Sequence, residues 1–303
     1  MEKIFCYGNT KKGKKALFLS GLGDYSLSDT LECGQCFRFD RVDSPEYECE
    51  YTGVVGNSFL HIAQRQKGEL IFYDTDIEEY NSKWEKYFSL DTDWKCVKED
   101  VISSLPDNEV LRAAAEVGQG IAILRQDMWE ALFSFIISQN NNIPRIKKII
   151  RQICFLYGKK CASPCKDCDG CGKCYSFPTP EDILASPEKL NEAKVGFRYR
   201  YLLDAAEKVA SGEIDLEALK YPADFEYAKG ELCKICGVGD KVSSCILLFA
   251  GNHLNAFPVD VWMRRAIDEY FNGNLDYKKL GNYAGVAQQY IFHYIRNKQN
   301  RQY

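Results

Sequence analysis

Short apolar stretches broken by polar and turn-forming residues mark roughly the first hundred residues, and helical spacing dominates the remainder. Cys36–Phe39, Tyr47–Val55, Phe59–Ile62 and Leu70–Tyr73 are rich in aromatic and β-branched residues, with Gly, Asn, Asp and Pro between them. That punctuation predicts strands. Helical spacing appears over Glu78–Tyr87 and takes over from about Asn108. Trp129–Gln139 (WEALFSFIISQ) is apolar nearly all round, which predicts a helix at the centre of a core. The run NNNIPRIKKIIRQICFLYG then restarts a helix. Asn142 is placed to cap it, and Pro144 falls in the first turn, where a missing N–H does no harm. The pattern therefore predicts an α+β protein, with a β-rich domain over residues 1–107 and a helical domain over 108–303.

Composition narrows the class. With 303 residues and 46% hydrophobic content, the chain has the make-up of an ordinary globular protein. Its start carries scattered charges rather than the apolar core of a signal peptide, and no apolar run reaches membrane-spanning length. The expectation is a soluble intracellular protein without membrane contact, in the cytoplasm or nucleoid of a bacterium or the nucleus of a eukaryote. Three histidines, His61, His253 and His293, leave little for a histidine-based hydrolase or metal triad.

The net charge of −4 argues at first against a nucleic-acid partner. It hides an asymmetry, because residues 1–105 hold 13 basic against 19 acidic side chains, and the rest hold 26 against 24. Within Asn140–Lys160 stand Arg145, Lys147, Lys148, Arg151, Lys159 and Lys160, with no acid. A local patch, not the global sum, grips a phosphate backbone. A solvated face would look the same, so charge permits such a partner without requiring one.

The chemistry gathers at Glu231–Gly251, which contains KICGVGDKVSSC. It predicts one helix ending, a tight Gly237-Val238-Gly239 turn, and a second helix from about Asp240 to Ala250. Backbone N–H groups of such a turn, with the helix N-terminus behind them, form an anion site suited to a DNA phosphate. A purely structural helical hairpin is the plain alternative. Lys241 falls in the first turn of the second helix, where the helix dipole and burial both oppose its charge, as an attacking amine requires. Cys245 lies four residues on, along the same face. After the lysine comes FPVDV, in which Asp260 precedes another apparent helix. An Asp there is ordinarily a cap, yet a capping carboxylate is also held ionised and can face a developing cation.

Together these segments resemble the helix-hairpin-helix DNA glycosylases, and specifically the 8-oxoguanine DNA glycosylase/AP lyases. LECGQCFRF, LRQDMWEALFSFIISQNNNIPRI, VGFRYRY, CGVGDKVSSCI, FPVDVWM and YAGVAQQYIF carry the resemblance, in order, from about Leu27 to Arg296. It implies an N-terminal antiparallel β-sheet domain followed by a two-lobed all-α glycosylase domain. It also implies a base-excision repair enzyme, expected to act as a monomer on double-stranded DNA containing 8-oxoguanine.

Residue by residue, the resemblance makes Lys241 the nucleophile that forms a Schiff base at C1′. It makes Asp260 the carboxylate that supports departure of the base. The carbonyl of Gly34 would recognise the extra N7–H of the oxidised guanine, where normal guanine presents an acceptor. Cys245 and Phe292 would sandwich the flipped base, and Gln288 would contact its Watson–Crick edge. Asn140, Arg145 and Arg198 would hold the orphaned cytosine, with Phe197 as the wedge and Gly237 and Gly239 at a phosphate. Taken singly, Asn140–Asn142 reads as a polar turn and cap, Phe292 as core, Gln288 as surface and Gly34 as a turn. Trp262 departs from the pattern, standing where relatives place a histidine near a phosphate. An indole donates one hydrogen bond but carries no charge.

Two other readings remain. A related enzyme could remove adenine or oxidised pyrimidines, but it would give no reason for Gly34, Cys245, Gln288 and Phe292 to occur together. A non-enzymatic DNA-binding module would need neither Lys241 nor Asp260. Apart from all this, an insertion at about 159–180 holds Cys161, Cys165, Cys168, Cys171 and Cys174. Its C-x₂-C spacings suit a structural Zn²⁺, with an Fe–S cluster or free thiols as alternatives. No cofactor is expected for catalysis.

Overall fold

The computed structural model of the chain describes residues 3–10, 13–161 and 174–300. Strands β1 (Ile4–Asn9), β2 (Lys15–Ser20), β3 (Phe39–Arg41), β4 (Cys49–Val55), β5 (Ser58–Gln66) and β6 (Glu69–Tyr73) form one antiparallel sheet in the order β1-β2-β6-β5-β4-β3. Side chains of a strand alternate between faces. Leu17 and Leu19, Tyr51, Leu60 and Ile62, and Leu70 and Phe72 accordingly share one buried face. Against it packs the helical stretch made of α2 (Ile77–Glu79), a π-turn (Tyr80–Trp84) and α3 (Glu85–Tyr87), contributing Tyr80, Trp84 and Tyr87, with Phe88 just beyond it.

The first expected strand is corrected. Only Phe39 of Cys36–Phe39 is in a strand, and α1 (Leu27–Glu32) precedes it. The apolar residues there serve a loop instead. Gly34 turns with φ of 90°, and the side chain of the buried Gln35 replaces ladder hydrogen bonds. The two strands nearest the N-terminus were not singled out in the sequence, since Gly8, Asn9 and the lysines of KKGKK mask their alternation.

The longer helices begin ahead of Asn108, with α4 (Trp94–Ser104). They continue as α5 (Glu109–Gly118), α6 (Met128–Ser138), α7 (Ile143–Tyr157), α8 (Pro180–Ala185), α9 (Tyr199–Ala210), α10 (Phe225–Cys233), α11 (Asp240–Phe249), α12 (Val261–Tyr270) and α13 (Ala284–Asn300). Helix α6 is buried nearly all round, as its sequence predicts, and contacts α7, α9 and α11. Asn142 caps α7 through the amide of Arg145, with Pro144 in the first turn. Helix α13 runs against α5, so the C-terminal helix closes the core. Among the described residues, no helix is long and apolar enough to cross a membrane.

Candidate active site

The hairpin forms from α10 and α11. Gly237 holds φ of 80°, in the left-handed region that favours glycine, and a Cβ there would lie 2.4 Å from the ring of Tyr201. Gly239 occupies the N-cap of α11 with no side-chain cap, and around it a Cβ would meet open space. The helix therefore begins with its first-turn N–H groups uncovered by any capping side chain. The turn is held from below by the Cys236 amide, which donates to Asp204 at 2.7 Å.

Helix α11 is buried from Val242 onward, which fixes Lys241 at the edge of the core. Its ammonium lies 5.5 Å from the centroid of the Phe135 ring, which α6 supplies. Cys245, one turn on, is buried, and burial pushes its thiol up from its ordinary value; the charge of Lys241 opposes that shift and Asp260 adds to it. Asp260 caps α12 by accepting from the Met263 amide at 2.7 Å. Both readings made for that residue thus bear on one carboxylate, a cap that also faces the cavity.

Lys241, Cys245 and Asp260 line one cavity of about 610 Å³ together with Gly34, Gln288, Phe292 and Trp262. Gly34 has open space where a side chain would project. Gln288 is buried at 5% exposure rather than on the surface, and Phe292 is half-buried. Trp262 is 52% exposed, with the Arg265 guanidinium 5.6 Å from its ring centroid.

The residues matched to the opposite base do not themselves line this cavity, although Asn141, Asn142 and Pro144, between Asn140 and Arg145, do. Asn140 and Arg145 are exposed, Asn140 with φ of 47°. Phe197 projects at 54% exposure. Arg198 is 2% exposed and turned inward, with donors on the carbonyls of Gln139, Asn140 and Val195. Its guanidinium also covers Phe197 at 4.4 Å. Burial, with Arg145 nearby, lowers its pKa from the ordinary value. In this conformation Arg198 stiffens the turn after α6.

Sequence reasoning missed the struts beneath the site. Gln35 donates to the carbonyls of Thr30 and Ala122 and accepts from the Leu124 amide, all within 2.9 Å. Gln126 donates to the carbonyls of Gln35 at 2.6 Å and Phe249 at 3.3 Å. The loop carrying Gly34 is thereby tied to the end of the helix carrying Lys241. A polar residue between two cysteines in LECGQCF was the available signal, since burial there demands partners.

At the cysteine insertion, Cys161 and Cys174 are buried, and the Cys161 amide donates to the Cys174 carbonyl at 2.8 Å beside a bridge between Lys160 and Tyr175. Cys165, Cys168 and Cys171 lie outside the described residues. Among the described residues, no group of three or more metal-ligating side chains occurs.

Comparison with known proteins bears on the fold and the family. The family model for the N-terminal domain of 8-oxoguanine DNA glycosylase matches residues 19–132. That for HhH-GPD superfamily base excision DNA repair proteins matches residues 133–282. A solved Clostridium acetobutylicum 8-oxoguanine glycosylase/lyase, in complex with double-stranded DNA containing cytosine opposite 8-oxoguanine, is 32% identical with a TM-score of 0.83. That alignment covers 97% of this chain and 98% of that one. The N-glycosylase/DNA lyase of Saccharomyces cerevisiae is 28% identical over 93% of this chain and 85% of its own length. The N-glycosylase/DNA lyase OGG1 of Arabidopsis thaliana is 26% identical over 89% and 77%. With a lysine and a capping aspartate lining one cavity of this fold, the chain belongs to the 8-oxoguanine DNA glycosylase/lyase family of base excision repair proteins.

Proposed function

We propose that this protein extrudes 8-oxoguanine from duplex DNA, releases it through attack by Lys241 and nicks the resulting abasic strand. The observation that carries the reading is the shared cavity of Lys241 and Asp260, with Gly34, Cys245, Gln288 and Phe292 on its walls. The cavity volume of about 610 Å³ is of the size that encloses a small ligand.

In this reading the phosphate lies on the turn at Gly237 and Gly239. Phe197 fills the gap left by the base, and Asn140, Arg145 and Arg198 meet the cytosine that remains. Arg198 must then exchange some carbonyl contacts for the base. Unstacking costs a few kcal/mol (about 2–4), which the wedge and the pocket offset. Cys245 and Phe292 flank the base, and the Gly34 carbonyl accepts its N7–H.

The Nζ lone pair of Lys241 attacks C1′ as the C1′–N9 bond breaks, and the bonding pair leaves with the base, which takes up a proton. The carboxylate of Asp260 offsets the positive charge that builds on the sugar. Ring opening gives a Schiff base between Nζ and C1′. Loss of a C2′ proton then expels the 3′ phosphate through cleavage of the C3′–O bond, and water releases the lysine.

Borohydride tests the reading directly. Wild type incubated with an 8-oxoguanine:cytosine duplex should be trapped as a covalent adduct, and Lys241→Gln should give none. An adduct that persists unchanged in Lys241→Gln, or no adduct with wild type, would sink it.

A further inference from the structure

Helix α13 presents two consecutive glutamines to the cavity, and the mechanism above uses only the first. Gln289 is 4% exposed and lines the cavity beside Gln288. Its Nε2 donates to Oε1 of Gln288 at 2.6 Å, while its own Oε1 is buried with no partner. An unpaired buried acceptor is uncommon in a native interior and calls for an explanation. Both residues precede Phe292 by one helical turn, so the pair borders the ring proposed to stack on the base.

The hydrogen bond couples the two amides. Turning one over forces the other to turn, because two carbonyl oxygens cannot share the contact. In either arrangement the pair keeps one amide oxygen and one NH₂ group outside its own hydrogen bond. A guanine edge presents the converse, with an O6 acceptor and the N1–H and N2–H₂ donors.

We propose that Gln289 is a specificity-determining residue: its Oε1 accepts from the N1–H/N2–H₂ side of the extruded purine, and its amide orients Gln288 toward O6. The inference rests on the base-excision reading. It names the recognised ligand class as a 6-oxo-2-aminopurine, and it gives the unpartnered acceptor of Gln289 a donor. A site built to bond a polar group discriminates strongly against an analogue that lacks it.

Excision is compared on duplexes carrying 8-oxoguanine or 8-oxohypoxanthine, which lacks the 2-amino group, opposite cytosine. Incision of a duplex with a preformed abasic site serves as the reference reaction. Wild type should prefer 8-oxoguanine. In Gln289→Met the ratio of 8-oxoguanine excision to abasic incision should fall tenfold or more, and the preference between the two bases should collapse. The inference is overturned if Gln289→Met keeps the wild-type preference, or if excision and abasic incision fall in equal proportion. Wild type inactive on both lesions overturns the base-excision reading and this inference with it, whereas an active wild type with an indifferent Gln289→Met overturns this inference alone.

Discussion

At position 34 the backbone conformation itself is the functional feature of the proposed reading. A φ of 90° leaves the Gly34 region open toward the cavity, and any Cβ would be strained there by its own backbone, because no neighbour stands within 4 Å. Gly34→Ala should therefore lower stability by only about 1–2 kcal/mol, the usual cost of a left-handed L-residue. Base excision should fall tenfold or more as the carbonyl is re-aimed. Denaturant midpoints and single-turnover excision measured on one preparation check both halves. Wild-type excision from Gly34→Ala would remove the carbonyl from the recognition argument. Cys245 illustrates the opposite case, a side chain whose burial holds it as a neutral thiol suited to packing on a base rather than to attack.

Among the elements, α12 separates the cap from the chemistry. Asp260 does both in the proposed reading, but only its charge matters to the developing cation. Asn caps helices as well as Asp, whereas Ala does not. Asp260→Asn should keep the stability of wild type while cutting the rate of base release on the order of 10²–10³-fold, the scale of one lost electrostatic contact. Asp260→Ala should lose the rate and, in addition, about 1 kcal/mol of stability. Thermal melts beside single-turnover rates distinguish the two. An Asn variant as active as wild type would reduce Asp260 to a cap. The same logic covers the basic stretch of α7, where Lys147 and Arg151 are drawn to Asp40 of the sheet, at 3.9 and 2.8 Å, rather than held out for a phosphate.

For the whole molecule, the thiols buried across the sheet and the helical core bear on stability in alkali. Burial pushes Cys33 up to about 12 and Cys154 up to about 11, and it raises Cys36 and Cys245 as well. A group whose pKa is higher folded than unfolded stays protonated in the fold after the unfolded chain has lost the proton. Its contribution is complete below the ordinary thiol value and fades as pH rises through the folded value. Unfolding midpoints in urea should hold to about pH 8.5 and fall steadily above it. A midpoint unchanged at pH 10 would contradict the burial of these thiols. DNA binding, for its part, must come from placement rather than bulk charge, since the net charge is −4.

Local rules accounted for the elements that punctuation and periodicity dictate. The all-apolar α6, the Asn142 cap with Pro144 behind it, the Gly237-Val238-Gly239 turn and the capping Asp260 each depend on neighbours within a few residues, which a linear text carries. The strand misassigned at Cys36–Phe39 shows where such rules end: its apolar residues pack, but Gly34 and the side chain of Gln35 divert the backbone. Which residues meet in the cavity was legible only through motif resemblance, because Gly34 and Phe292 stand at opposite ends of the chain. Gln126 fastening the Gly34 loop to the end of α11, the inward turn of Arg198 and the unpaired oxygen of Gln289 were not written in any local pattern. A hydrogen-bond partner for a buried amide is chosen by long-range packing, after the chain has closed on itself. Spacing along a chain thus specifies turns, caps and faces, whereas the convergence of distant side chains on one volume follows from how those faces fill space together.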